Sequence, residues 1–381
     1  MASYKQLAKS NWRATLSLGY DSYGKRIKKQ KQGFKTKKDA ERWVTDTLDK
    51  KHKGFIISNE SNILFKDFID KWFYEYKIHT ISTNTIANYI SRLNTHIIPK
   101  LGHYKLNEIT NMTVQNFYNQ LINQGQKSSS AKKILETLSN CLRYAYKNKL
   151  IYTIPTDIQK ISIEKTRIEF WDKKHVDFFL KKIKGSYLYT PILLELMTGL
   201  RIGELCGLRW YDIDFRNNFI SIKNQIIIDK NNRELIFTQK LKTNTSYRKI
   251  SIPKTLTDYL LSIKNNASNN DFVILNRNGE ICNPRNLSMN FKKEIKKYET
   301  NLSIEESIND SNYMKLPQIT FHGLRHTHAT ILIANNENIK VVSERLGHTN
   351  VNETLNTYTH VMEDMKNNTG ELLSNIFNFN E

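Results

Sequence analysis

Four short stretches in the C-terminal half of the chain gather residue types able to act on an anionic ester. The first, Thr198-Gly199-Leu200-Arg201-Ile202-Gly203-Glu204-Leu205, reads as a helix end, a glycine break and a new helix start. At such a start, backbone N–H groups and an arginine can face one anion together. The second is Lys242-Thr243, between β-rich runs, where a long side chain can swing into a cleft. The third, His322-Gly323-Leu324-Arg325-His326, sets His322 and Arg325 three apart on one helical face. The fourth runs from Leu346-Gly347-His348 to Tyr358-Thr359-His360. A phosphodiester suits this set. Attack on it needs positive charge on the nonbridging oxygens as they gain charge in the transition state. Arg201 and Arg325 can donate bidentate hydrogen bonds there, a geometry lysine cannot copy. Taken singly, each arginine reads as a surface ion pair, and one tyrosine among 19 as filler.

The elements that must position these residues fall into three blocks. In Trp12 to Leu18 apolar and polar residues alternate, the period-2 pattern of a half-buried strand. Turn chemistry follows at Asp21-Ser22-Tyr23-Gly24, then a basic stretch, Lys25 to Lys31, and a cap at Thr36-Lys37-Lys38-Asp39. Ala40, Trp43, Val44 and Leu48 then recur at helical spacing. One face of a small three-stranded sheet would pack on that helix, leaving the other basic and suited to a DNA groove; a merely solvated face is the plainer alternative. From Phe65 to about Lys149 four apolar stripes predict a helical bundle, the second stripe ended by Pro99 and Gly102. The segment after Ile154 has no strong period and reads as a linker. Beyond it, helices flank β-rich runs at Phe219–Ile222, Gln225–Ile228, Leu235–Thr238 and Arg248–Ile252. The acidic stretch Glu299 to Asp310 reads as an exposed insertion. The fold class is thus α+β, mainly α, in residues 1–60, 61–155, a linker at 156–168, and 169–381.

At 381 residues the chain has the length of two or three domains, and with 39% hydrophobic residues it can bury more than one core, which excludes a disordered or collagen-like chain. The net charge of +21 points to a polyanion, although the abundance of Lys, Asn and Ile also fits codon bias. Location argues for a polyanion: residues 1–60 carry a net +9, residues 61–160 a net +7, and residues 161–381 only +5. Three scattered cysteines, Cys141, Cys206 and Cys282, fit neither a disulfide framework nor a zinc pattern, and a reducing cytoplasm is expected. No apolar run reaches the roughly 18 to 20 residues of a membrane span.

In family order and at plausible spacings, the Arg, Lys, His-x-x-Arg, Gly-His and Tyr of the four stretches resemble the tyrosine recombinase family, in particular the integrases of phages and conjugative transposons. The resemblance covers most of the chain. It implies an arm-type DNA-binding domain, a helical core-binding domain of the SAM-like type and a catalytic domain. It makes Tyr358 the nucleophile that forms a 3′-phosphotyrosine link and frees a 5′-hydroxyl. Its phenol, with a usual pKa of about 10, needs a base or a positive field to ionise. Lys242 matches the family's mobile general acid; Lys240 is close by, but Thr243 and Arg248 favour Lys242. His322 matches the proton-transfer or phosphate-contacting histidine. His348 matches the His-or-Trp position that donates to a phosphate oxygen and packs the nucleophile's helix. Glu204 is expected to orient its neighbours. His326 and His328 are expected to hydrogen-bond within the fold. The pair His322 and His326 lacks the Glu of a zinc-protease helix, so no metal is expected, and retention of bond energy in the phosphotyrosine removes any need for ATP or another cofactor.

Arg13, Arg26, Lys28, Lys31, Thr85, Lys132 and Lys133 are the candidate DNA contacts outside the catalytic block. Leu372, Leu373, Ile376 and Phe377, in a helix at about 370–379, are expected to pack on a neighbouring protomer, with self-packing as the alternative. The resemblance therefore implies a homotetramer on double-stranded DNA, engaging core and arm sites, with a directionality factor and a DNA-bending host protein, in the bacterial cytoplasm at the nucleoid. The reaction would integrate and excise a mobile element. A topoisomerase of type IB, relaxing DNA as a monomer, and a DNA-binding regulator with a decayed active site are the alternatives.

Overall fold

The computed structural model describes residues 2–20, 26–52, 63–162, 169–229, 232–239, 241, 246–298 and 314–366. The chain divides into two compact units, Met1–Lys165 and Thr166–Glu381. Architecture is mainly helical with small antiparallel sheets. Among the described residues no helix is long and apolar enough to cross a membrane.

In the first unit, β1 (Ala2–Ala8), β2 (Asn11–Tyr20) and β3 (Arg26–Phe34) form an antiparallel sheet in the order β1-β2-β3. The alternation in β2 sets Ala14, Leu16 and Leu18 on one face, where they bury against Ala40 and Val44 of α1 (Lys37–His52). The predicted cap is formed: Thr36 N donates to Asp39 Oδ2 at 3.2 Å and Asp39 N to Thr36 Oγ1 at 3.1 Å.

The candidate DNA contacts do not all share one face of this sheet. Directly paired residues project to the same side. Lys28 pairs with Ser17 on the side away from α1, the side of Arg13, and Arg26 reaches it by donating Nε to Ser17 Oγ at 2.9 Å. Lys31 instead pairs with the buried Ala14, on the α1 side, and its ammonium lies 5.5 Å from the Phe34 ring. The basic stretch read as a single surface is thus split by strand alternation.

The rest of the unit is a helical bundle. α2 (Phe65–Trp72) continues as a π-type turn, Phe73–Lys77; α3 (Thr83–Arg92) continues through Leu93–Ile97, also π-type, into α4 (Ile98–Leu101). Pro99 therefore does not end the second helix, because the wider turn before it takes over where a regular i→i−4 bond to proline is impossible. α5 (Asn111–Asn123) and α6 (Ser128–Lys147) complete the core around Phe65, Trp72, Phe117 and Leu138. Lys132 and Lys133 are exposed on α6, and Thr85, in the first turn of α3, bonds its hydroxyl to Ser82 at 3.0 Å. The start of the predicted linker is held on this bundle. Gln159 N donates to Gln115 Oε1 at 2.7 Å and Ile161 N to Tyr118 Oη at 3.0 Å, so backbone pairing extends order where side-chain periodicity gives none.

In the second unit, α7 (Lys173–Lys182) and α8 (Tyr189–Thr198) lead through the glycine break to α9 (Ile202–Cys206). β4 (Ile213–Asp214), β5 (Phe219–Ile222) and β8 (Arg248–Ser251) form one antiparallel sheet, while β6 (Gln225–Ile228) pairs with β7 (Leu235–Thr238). α10 (Lys254–Lys264), α11 (Pro284–Lys296), α12 (Phe321–Ala334), α13 (Ile339–Leu346) and α14 (Val351–Lys366) follow. Trp171, Phe179, Phe291 and Phe321 centre the core, and Trp171 anchors α12 by donating its backbone N–H to Thr327 Oγ1 at 3.0 Å. The acidic stretch Glu299 to Asp310, Lys242, and the C-terminal residues Leu372, Leu373, Ile376 and Phe377 lie outside the described residues.

Candidate active site

Two helices of the second unit end in left-handed glycines, and those ends organise the arginines. α8 stops at Gly199 (φ 64°) and α13 at Gly347 (φ 68°). A helix end leaves carbonyls without intrahelical partners, and cations suit that end of the helix dipole. Arg325, on α12, donates Nη1 to Gly199 O and Nη2 to Leu346 O, both at 2.6 Å. Arg201 donates Nη2 to Gly347 O at 2.8 Å, and Arg248 donates Nε to Arg345 O at 2.6 Å. Glycine is needed at both ends: a Cβ at 199 would lie 2.6 Å from the His328 ring, and one at 347 would lie 3.0 Å from Arg248 Nη1.

Glu204 binds two of these cations. Its carboxylate accepts Arg201 Nη1 and Arg248 Nη2, each at 2.8 Å, and the Arg201 backbone N–H at 3.0 Å. Burial opposes ionisation of Glu204, but Arg248 and Arg201 outweigh it and hold the carboxyl below its ordinary range. The orienting part expected of Glu204 thus has a defined geometry, while Arg248 carries no local sequence signal that would place it there. Burial and then the neighbouring Arg201 lower the pKa of Arg325. Arg325 is 2% exposed, whereas the Arg201 side chain is 38% exposed and presents the accessible part of the pair. A guanidinium has five N–H donors, so the two bonds described for Arg325 leave capacity for further acceptors.

The histidines lie around the arginines in distinct settings. His322 has a surface-accessible edge, yet crowding by protein atoms, followed by the charges of His326, Arg325 and Arg201, pushes it down to about 4. His348, half-buried after α13, bonds Nδ1 to Thr354 Oγ1 at 2.8 Å and is likewise pushed down to about 4 by burial and then by Arg325 and Arg201. His328 behaves as the core histidine expected, its Nδ1 2.8 Å from Leu196 O. His326 does more than bond within the scaffold: its Nδ1 lies 2.8 Å from the Tyr358 hydroxyl.

Tyr358 is 1% exposed and packs with Ala329, Ile333, Val342 and Leu346. Its backbone departs from helical geometry inside α14 (φ −111°, ψ 18°), so the residue sits at a kink. Burial raises the phenol pKa, against a lowering influence from Arg325. Arg201, Glu204, His322, Arg325, His348 and Tyr358 are therefore brought together from α9 and its approach, α12, the turn after α13, and α14. Lys242 lies outside the described residues; on either side, Leu241 and Ser246 are buried, and the Tyr247 hydroxyl donates to Gln239 O at 2.5 Å.

One buried acid has almost no signature in the sequence. Glu195 on α8 is 0% exposed, and neither carboxyl oxygen has a hydrogen-bond partner among the described residues. Burial raises its pKa well above the ordinary range, so it stands neutral behind the arginines. Its only sequence signal is a charged residue inside the apolar run Ile192-Leu193-Leu194-Glu195-Leu196.

Comparison with known proteins matches three successive parts of the chain. The phage integrase family matches residues 170–365, the N-terminal SAM-like domain of phage integrases matches residues 64–122, and an arm DNA-binding domain matches residues 2–51. A tyrosine recombinase XerC-like protein of Caldanaerobacter subterraneus subsp. tengcongensis is 29% identical, over 98% of this chain and 98% of its own length. Among solved structures, the Tn1549 transposon integrase in complex with transposon right end DNA superposes with a TM-score of 0.69 at 22% identity, covering 82% of this chain and 99% of that one. A lambda integrase tetramer bound to a Holliday junction gives 0.56 at 18% identity, covering 91% and 95%.

Proposed function

Because the chain belongs to the phage integrase family, we infer that the cluster around Arg201 and Arg325 is the active site of a site-specific recombinase, which cuts and rejoins DNA at the ends of a mobile element. The observation that carries this assignment is the convergence of two guanidiniums, two further imidazoles and one tyrosine from separate segments of the second unit.

Arg201 and Arg325 hold the nonbridging oxygens of the scissile phosphate, with His322 and His348 as neutral donors beside them, consistent with their lowered pKa values. The Tyr358 oxygen attacks phosphorus, an Oη–P bond forms, and the P–O5′ bond breaks; Lys242 gives the 5′-oxygen its proton. The 5′-hydroxyl of a second strand reverses the step. The ring of Tyr358 packs against α12 and α13 at the kink in α14, with its hydroxyl 2.8 Å from His326 Nδ1. Residues 1–60 serve as the arm-type DNA-binding domain and residues 61–155 as the core-binding domain. Arg13, Arg26 and Lys28 are the arm candidates supported by a shared side of the sheet. The assembly is a homotetramer on double-stranded DNA with C-terminal exchange between protomers, assisted by a directionality factor and a DNA-bending host protein, at the nucleoid.

The test is a nicked suicide substrate bearing the element's end. A denaturation-resistant protein–DNA adduct is expected, and Tyr358→Phe abolishes it with DNA binding intact. An adduct formed by the Phe variant would assign the nucleophile elsewhere, and supercoil relaxation without strand exchange would favour a topoisomerase.

A further inference from the structure

The bond between Tyr358 and His326 bears on a step that the matched residues leave open, the destination of the phenolic proton. A phenol is a weak nucleophile until that proton has somewhere to go, and a general base must lie within about 2.6–3.2 Å of it. His326 Nδ1 meets that requirement at 2.8 Å from the Tyr358 oxygen. His322, one turn earlier on α12, stacks edge-on against His326 with ring centroids 4.8 Å apart and has its accessible edge toward solvent.

The surroundings favour an imidazole that is neutral and able to accept. Partial burial, and then the charge of Arg325, lower the pKa of His326. The groups around it are Arg325 and His322 on its own helix, Tyr358 on α14, and His348 after α13, whose ring also senses His326. A neutral imidazole carries one N–H and one accepting nitrogen. With the hydrogen on Nε2, Nδ1 takes the phenolic hydrogen bond.

We propose that His326 is the base that accepts the proton of Tyr358, leaving His322 to bind the phosphate. As the Tyr358 Oη–H bond breaks, its proton passes to His326 Nδ1. The Oη–P bond forms, the P–O5′ bond breaks, and the 5′-oxygen is protonated by Lys242. In the reverse step a 5′-hydroxyl returns its proton to Lys242 as it attacks phosphorus, the Oη–P bond breaks, and the departing phenolate recovers its proton from His326. The proposal rests on the reading of Tyr358 as the nucleophile.

The test is single-turnover adduct formation by the full chain on the nicked substrate, with wild type, His326→Ala, His326→Asn and His322→Ala, each also prepared with 3,5-difluorotyrosine at position 358. His326→Asn keeps a hydrogen-bond acceptor near the phenol without a basic nitrogen, and DNA affinity reports whether each variant is folded. Loss of the base is expected to slow adduct formation by about 10²–10⁴-fold at neutral pH in both His326 variants. Their rates should climb with pH, and the more acidic fluorinated phenol should recover much of the loss. His322→Ala should show no such recovery. A substrate with sulfur in place of the 5′-bridging oxygen, which leaves without a general acid, should not rescue His326→Asn. The proposal is overturned if His326→Asn cleaves within about threefold of wild type, or if its deficit is indifferent to fluorination. Failure of the wild-type chain to form any adduct would instead overturn the recombinase assignment of the site.

Discussion

Replacing Glu204 with Gln keeps the shape of the side chain and removes one negative charge from between two guanidiniums. Glu204 is 3% exposed and accepts Arg201 Nη1 and Arg248 Nη2, each at 2.8 Å. The amide of Gln can accept with one oxygen, while its NH2 group faces a guanidinium donor to donor. Removing one partner of a buried ion pair costs about 3–5 kcal/mol. Arg201 is 38% exposed and partly screened by water, which sets the expected loss at the lower end, about 3 kcal/mol. At about 2–4 °C per kcal/mol for a unit of this size, the melting transition of the second unit should fall by about 6–12 °C. Calorimetry of the full chain at pH 7 measures this. Pairing Glu204→Gln with Arg248→Met, which removes the more deeply buried cation, should return part of the loss. The folded pKa of Glu204 is depressed, so its contribution is present above the ordinary carboxylate range and is lost as pH falls through the folded value. The gap between wild type and variant should therefore narrow in acid. A shift below about 2 °C at neutral pH, or a double variant no better than the single, would refute the view that this carboxylate holds the cations in place.

Glu195→Leu should stabilise the protein. An unpartnered buried polar group costs about 1–3 kcal/mol, and because the folded carboxyl keeps its proton above the unfolded pKa, wild-type stability falls further as pH rises beyond about 4.3. The gain in melting temperature should be larger at pH 8 than at pH 5, and equal gains would count against a neutral Glu195. Gly347→Ala meets a left-handed backbone and a Cβ position 3.0 Å from Arg248 Nη1, so a loss of at least about 1–2 kcal/mol is expected in thermal unfolding, with slower adduct formation. Removing residues 1–60, which carry a net +9, should make DNA binding less sensitive to salt. The log–log slope should fall by about 0.9 for each phosphate that the shortened chain no longer neutralises, measured by titration at several salt concentrations.

What was legible in the sequence was whatever repeats over a few residues. Period-2 alternation located β2, and helical spacing located the bundle stripes and the face of α12 that carries His322 and Arg325. The β-rich runs at Phe219, Gln225 and Leu235 coincide with β5, β6 and β7. Pairings closed over long stretches of chain were not legible. Arg201 meets Gly347 across 146 positions, and His326 meets Tyr358 across 32, through helix packing that no local pattern encodes. Lys31 falls on the covered face of the sheet rather than the open one because register depends on the bulge at Gly33 in β3 as well as on alternation. Glu195 is invisible to composition, which does not distinguish a charged residue on a helix surface from one sealed inside.

The carbonyls at the ends of α8 and α13 make those helices the rulers that set where positive charge stands. A helix rises about 1.5 Å and turns about 100° per residue, so one residue inserted into either helix would carry its terminal carbonyl out of reach of a guanidinium held at 2.6 or 2.8 Å. Length changes in this unit are therefore tolerable in the connections between elements, such as that between β6 and β7, and intolerable inside α8 and α13. Two segments that contribute no side chain to the proposed reaction are thereby bound to a fixed length by the chemistry they support.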